Sequence, residues 1–328
     1  MGKNKEEKRW KKAKLIANPG SGEDVDHTER LEQVTHWLLD LGIKVDVALA
    51  HPTEKTTPIA RRAAKDGYPL VIAMGGDGTI EAVARGLVGE KTCLGILRGG
   101  TMNNIAKSLG IPEDLQEGCK LLVEGCERCL DVGQVKTKKG KFTFLEMAAV
   151  GVLADQFSGG KDLDKGEWWK LPSLVVKFVH YDLPEFRINL NKESYIEEDS
   201  LLLTVSNMPL FGESFLVAPQ ASVEDGLLDV CLYNNLSKPE LAAYFAKIAN
   251  EGEAKDENIL RFRARKLKIK TKPKQRIMAD GKMLGKGKAK IRVLPGALRV
   301  ITPEELGFAR EPAPEDERLP VPISPTQD

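Results

Sequence analysis

The sequence predicts an α/β domain built on a parallel sheet, followed by an all-β sandwich, and three observations predict it. At 328 residues the chain has room for two domains of about 100 to 200 residues each. From Ala13 to Asn104 strand-like apolar runs alternate with helical patterns, and each strand closes on a polar or glycine-rich loop. That order implies a parallel sheet with ligands at the carboxyl ends of its strands. From about Asp131 the texture changes to many short β-like runs between turn residues, the pattern of an antiparallel sandwich. The expected boundaries are 13–132 for the first domain and 133–297 for the second, with 1–12 and 309–328 as flexible tails.

In order, Lys3 to Lys12 is rich in Lys, Glu and Arg and reads as a solvated start. Ala13 to Ala17 is a strand running into Asn18-Pro19-Gly20-Ser21-Gly22, a turn rich in backbone donors. His27 to Leu41 has helical periodicity through Leu31, Val34, Leu38 and Leu41, with Gly42 as its stop. His27 and His36 have no partner in sequence and read as structural. Ile43 to Ala50 alternates as a strand, and Ile59 to Asp66 reads as a helix. Leu70 to Met74 is an apolar strand feeding Gly75-Gly76-Asp77-Gly78-Thr79, with a helix from about Thr79 to Leu87. Cys93 to Leu97 is a strand entering Arg98-Gly99-Gly100-Thr101-Met102-Asn103-Asn104.

The second part offers strands at Asp131 to Lys136, Phe142 to Val150, Phe186 to Leu190, Leu201 to Ser206, Leu228 to Leu232, Leu267 to Thr271, Arg276 to Met278 and Ala289 to Val293. Gly159 to His180 sets Trp168, Trp169, Leu171 and Phe178 among lysines, and suits core packing or a lipid-facing surface. The proline-rich, acidic stretch from Glu311 has a disordered composition.

Forty-nine Lys and Arg balance 48 Asp and Glu, a net charge of +1, so charge argues for neither a nucleic-acid nor an acidic partner. Five scattered cysteines do not form a disulfide framework. Cys126 and Cys129 make a lone CxxC with no second pair, the usage of a reducing compartment. Met1 to Lys14 lacks the apolar core of a signal peptide, and no run approaches the roughly 18 apolar residues of a membrane span. A cytoplasmic protein with room for peripheral membrane contact is expected.

Gly75 to Thr79 reads as a phosphate turn. Glycines tolerate positive φ and let N–H groups approach an anion, and the helix behind would aim its dipole at the same point. The N–H groups of Gly76 to Thr79 and of Gly99 to Thr101, with the hydroxyls of Thr79 and Thr101, are the expected donors. Asp77 is unusual beside a phosphate and suggests a metal or a transferable proton. An ordinary strand-to-helix turn would use the same residues.

Taken with Leu94 to Ala106 and Glu224-Asp225-Gly226-Leu227-Leu228-Asp229-Val230, these motifs resemble the diacylglycerol kinase catalytic family, bacterial lipid kinases above all, over about Lys14 to Pro303. The resemblance implies a three-layer α/β domain of the NAD kinase and diacylglycerol kinase type plus a β-sandwich, and a last strand near 298–303 that returns to the first domain. It further implies ATP-dependent phosphorylation of a lipid hydroxyl at a membrane surface, with nucleotide held between the domains. The cofactor-binding set would be Asn18, Thr53, Gly75, Gly76, Asp77, Gly78, Thr79, Glu81, Gly100, Thr101 and Asn103. Mg2+ would be held by Asp225 and the carbonyls of Ser222 and Leu227. The sequence leaves room for a homodimer.

The family's third motif is usually Asp-Gly-Glu, its glutamate acting as base; here it is Asp280-Gly281-Lys282. A lysine ammonium has donors and no acceptor. The catalytic candidates are therefore Asp77, Asp280 and Lys282, with three outcomes open: an aspartate takes the proton, the enzyme is weak, or the fold binds lipid or nucleotide without transfer. NAD kinase is a further alternative, since the glycine turn is shared. Arg98 stands where the family commonly has proline, and either clamps a phosphate or is a solvated loop arginine.

Overall fold

The computed structural model describes residues 9–18, 27–50, 55–156, 183–190, 194–211, 215–251 and 258–307. The chain divides into two compact units, one within Met1–Leu130 and Gly296–Ala309, the other within Asp131–Pro295 and Arg310–Asp328. Thr53, the Gly159 to His180 stretch and the tail from Glu311 lie outside the described residues.

The first unit runs β1 (Lys12–Ala17), α1 (His27–Asp40), β2 (Lys44–Leu49), α2 (Thr56–Lys65), β3 (Leu70–Gly75), α3 (Asp77–Leu87), β4 (Cys93–Arg98), α4 (Asn104–Ser108) and α5 (Leu115–Glu124). Its strands lie in the order β2-β1-β3-β4, all parallel. Every residue of β3 is buried, as a central parallel strand covered on both faces requires. Val34 and Leu38 of α1, one turn apart, pack with Cys119 and Leu122 of α5 against Leu15, Ile72 and Leu97. The other layer is α2 with α3, where a Cβ on Gly86 would meet Ala60 Cβ at 2.7 Å. Helix α1 stops where the glycine signal put it: Gly42 takes φ +82°, while Ile43 N–H reaches Leu38 O at 2.8 Å and Gly42 N–H reaches Leu39 O at 2.8 Å. These two bonds satisfy carbonyls that the helix end would otherwise leave unpaired.

The chain leaves this unit along β5 (Cys126–Thr137) and continues through β6 (Gly140–Phe144), β7 (Met147–Gly151), α6 (Val152–Gln156), β8 (Glu185–Leu190), β9 (Ser194–Ser206), β10 (Leu210–Phe211), β11 (Phe215–Leu216), β12 (Leu228–Asn234), α7 (Lys238–Glu251), β13 (Ile259–Ala264), β14 (Lys266–Lys272), β15 (Arg276–Ala279), β16 (Lys282–Lys286) and β17 (Ala289–Thr302). The second unit is the expected antiparallel sandwich. One sheet is β16-β15-β7-β9-β12-β13 and the other contains β9-β8-β14-β17. Strand β9 belongs to both: its first half pairs with β8 through Asp199 and its second half with β7 and β12 from Ser200 onward. At that corner the Ser200 hydroxyl donates toward Tyr233 O at 2.7 Å and Leu202 O at 2.9 Å. Between the sheets Phe144, Phe186, Leu203, Val230, Leu267 and Ile291 form a buried core. The far end of β17 pairs in parallel with β4, Val300 opposite Leu94, and so adds a strand to the first unit.

The stretch Phe142 to Val150, expected as one strand, is two, broken at Leu145 and Glu146. Among the described residues no helix is long and apolar enough to cross a membrane.

Candidate functional site

In the first unit the two glycine turns, at the ends of the neighbouring strands β3 and β4, interlock. A Cβ on Gly100 would lie 2.4 Å from Gly76 Cα, and one on Gly99 would lie 2.9 Å from Gly75 Cα. A Cβ on Gly75 would meet Thr79 Oγ1 at 2.6 Å. None of these glycines has positive φ. This corrects the expectation drawn from backbone freedom: glycine is required here because two backbones touch and no side chain fits between them.

The donors divide accordingly. Three of the N–H groups expected to face an anion are spent on the cradle itself: Gly99 N–H bonds to Gly75 O at 3.0 Å, Thr79 N–H to Gly76 O at 2.9 Å, and Gly100 N–H to Asn103 Oδ1 at 3.1 Å. Asn103, in the left-handed region at φ +53°, returns its amide to Gly100 O at 2.5 Å and closes that loop. Gly78 differs from its neighbours: it is exposed in the first turn of α3, and a Cβ on it would find nothing within 4 Å. Thr101 is exposed as well. Thr79 is buried, and Asn18 Nδ2 donates to its hydroxyl at 3.4 Å. Glu81 is buried one turn from Arg85, whose guanidinium lies 3.4 Å away.

Asp77 braces the two turns. Its Oδ2 accepts from Asn104 N–H at 3.1 Å and its Oδ1 from Ile105 N–H at 3.0 Å, both in the first turn of α4. Burial pushes its carboxyl above the ordinary aspartate range, against the opposing pull of those two N–H groups and of Lys107. So placed, Asp77 positions the second turn relative to the first.

In the second unit Asp280 does comparable work. With Gly281 it forms the two-residue turn between β15 and β16, both at positive φ (+41° and +69°), the geometry that suits the twist of a hairpin. Its carboxylate accepts from Leu145 N–H at 2.7 Å and from Glu146 and Met147 N–H at 3.1 Å each. These bonds hold the break between β6 and β7. Lys282, next in the chain, is exposed. Glu146 is a buried carboxylate on the braced bend. It falls within Phe142 to Val150, a stretch whose sequence pattern is that of a single strand and carries no sign of the bend.

The Ser222 to Leu227 turn is also built. Asp225 Oδ1 accepts from Leu227 N–H at 2.9 Å, Ser222 Oγ accepts from Glu224 N–H at 3.3 Å, and Gly226 N–H reaches Asp131 at 2.6 Å. Arg263 lies 3.5 Å from Asp225 and 3.3 Å from Asp229. Burial pushes the Asp229 carboxyl up to about 6, opposed by Arg263 and reinforced by Asp225. A carboxylate is an oxygen ligand of the kind a hard divalent cation takes, and Asp225 is exposed. Arg263 already supplies positive charge to the same carboxylate, so a cation at Asp225 would compete with that guanidinium.

Residues 12–135 match the diacylglycerol kinase catalytic domain, and 170–302 match the YegS C-terminal NAD kinase beta sandwich-like domain. The chain is 28% identical over 310 residues to a diacylglycerol kinase of Bacillus subtilis, covering 90% of this chain and 97% of that protein. It is also 28% identical over 285 residues to a probable YegS-like lipid kinase of Klebsiella pneumoniae, covering 86% and 94%. Its fold is similar to the crystal structure of a diacylglycerol kinase from Bacillus anthracis, with a TM-score of 0.68 at 20% identity over 90% of this chain and 98% of that one.

Proposed function

The chain belongs to the diacylglycerol kinase catalytic-domain family, and from that premise we propose that it is a lipid kinase transferring the γ-phosphate of ATP, with Mg2+, to a hydroxyl of diacylglycerol or a related long-chain lipid. The observation that carries this reading is the cradle: interlocked glycine turns with the 11-residue helix α3 behind them and Gly78 open at its first turn. A helix start approached without side-chain obstruction suits a phosphate. Phosphoryl transfer depends mainly on alignment and charge neutralisation, and the bracing by Asp77 and Asn103 supplies the rigidity that alignment needs.

In the reaction the lipid oxygen bonds to the γ-phosphorus as its bond to the β–γ bridging oxygen breaks, and the hydroxyl proton passes to a carboxylate. Lys282 is no acceptor while protonated, and Asp280 holds three main-chain N–H groups. Among the carboxylates of this unit we assign that role to Glu146, buried on the bend that Asp280 braces. When bound, Mg2+ would neutralise phosphate charge, and Asp225 with the carbonyls of Ser222 and Leu227 would hold it. The lipid would be met at a membrane surface by a protein that is otherwise cytoplasmic.

The exposed ammonium of Lys282 favours a second reading, a protein that binds lipid and nucleotide without transfer. Purified protein incubated with Mg2+, labelled ATP and a panel of diacylglycerol, sphingoid base, phosphatidylglycerol, undecaprenol and NAD separates them. Label in a lipid is expected. Label only in NAD, or lipid binding with no label anywhere, contradicts the proposal. Glu146→Gln is expected to lower turnover at least tenfold with ATP binding retained; an unchanged rate removes Glu146 from the mechanism.

A further inference from the structure

Arg98 is the last residue of β4 and stands opposite Gly75 in the register with β3. It therefore enters the cradle directly ahead of Gly99 and Gly100. It is not the solvated loop arginine that its surroundings in the sequence allow. Its side chain is only 13% exposed, and its ion pair with Glu113 is long, 3.9 Å, to a partner that is 91% exposed. Such a contact in water contributes little. The Nε is buried and donates to nothing in the described structure.

Asp77 also faces this guanidinium electrostatically, but its two oxygens are engaged by Asn104 and Ile105. Burial works against the charged form of Arg98, and an unmet buried donor is costly. A planar fork of donors held in this way suits an oxyanion that it can bind in two-point fashion. Gly75, which Arg98 faces in the register, leads into α3, whose first turn is open at Gly78, and a helix start of that kind suits an anion.

We infer that Arg98 is a phosphate-binding residue of the cradle, its guanidinium donating to a phosphate oxygen of the bound nucleotide. The inference rests on the nucleotide reading above and adds to it a residue outside the glycine motif. Because Arg98 ends a strand whose register with β3 is set by six consecutive pairs, its fork is delivered at a fixed height beside Gly75. The exposed Glu113 can be exchanged for the phosphate when nucleotide arrives.

The test measures binding of ATP, tripolyphosphate and adenosine, and of phosphatidic acid vesicles, to the full chain and to Arg98→Gln, Arg98→Lys and Glu113→Gln. The wild type is expected to bind ATP and tripolyphosphate. Arg98→Gln should weaken both at least tenfold and leave adenosine unchanged, and Arg98→Lys should recover part of the loss, since a lysine keeps the charge without the fork. Glu113→Gln should bind ATP as well as the wild type or better. If the wild type binds ATP and Arg98→Gln binds it equally, or if Glu113→Gln loses as much as Arg98→Gln, the inference fails and the nucleotide reading stands. If the wild type binds no ATP, both fail. If the loss appears with phosphatidic acid and not with ATP, the assignment to nucleotide is overturned. Should Arg98→Gln not fold, the comparison of Arg98→Lys with the wild type decides.

Discussion

In the first unit Gly100 lies against Gly76 with no space for a side chain, whereas in the second Gly281 turns a hairpin at φ +69°. In each region an aspartate next to or near the glycines holds main-chain N–H groups: two for Asp77, three for Asp280. The chemistry is the same and the purpose differs. The first region locks two loops together and leaves one helix start open, the form of a ligand cradle. The second fixes the bend that carries Glu146, and its own turn ends in an exposed lysine. Glycine by itself therefore does not mark a phosphate site: in the first region the missing Cβ would meet backbone, and in the second the glycine takes a positive φ.

Substitutions can break this comparison. The largest effect is expected from Gly100→Ala, because its Cβ would meet backbone that no rotamer can move: a loss of about 3 kcal/mol or more, read by denaturant unfolding. Asp280→Ala should follow, at about 2 to 3 kcal/mol, since it leaves three N–H groups at the Leu145 to Met147 bend without their acceptor. Gly281→Ala should cost about 1 kcal/mol, the strain of placing an alanine in the left-handed region. If it destabilises as much as Gly100→Ala, the distinction between steric and conformational glycines is wrong. Gly78→Ala is expected to leave stability within about 0.5 kcal/mol of the wild type, or raise it slightly, because alanine favours a helix. In the same protein ATP affinity should fall severalfold, read by calorimetry.

Much of this was legible from the residues. The apolar run Leu70 to Met74 and the Leu31, Val34, Leu38 spacing place a strand and a helix because local pattern and burial agree. The interlocking of Gly75–Gly76 with Gly99–Gly100 was not legible, since it joins turns far apart in sequence that meet only when β3 and β4 pair. The break at Leu145 and Glu146 depends on Asp280, more than 130 residues away, and no local propensity reports it. Helix α7 is a different case. Ser237 and Glu240 form a capping box, with Ser237 N–H to Glu240 at 2.7 Å, and the Ser-x-x-Glu spacing ahead of an apolar run was a readable sign. Helix α5 likewise starts at Asp114, which accepts from Glu117 N–H at 2.9 Å. Arg98 was ambiguous because a sequence shows a charge and not its burial.

The most direct test of the cradle is hydrogen–deuterium exchange of the full chain with and without ATP and Mg2+. The account predicts slowed exchange in peptides covering Gly75 to Ile80 and Arg98 to Ile105, the segments that carry the two turns and Arg98. Unchanged exchange in both segments while ATP is demonstrably bound would contradict it, and would move the nucleotide to another part of the chain.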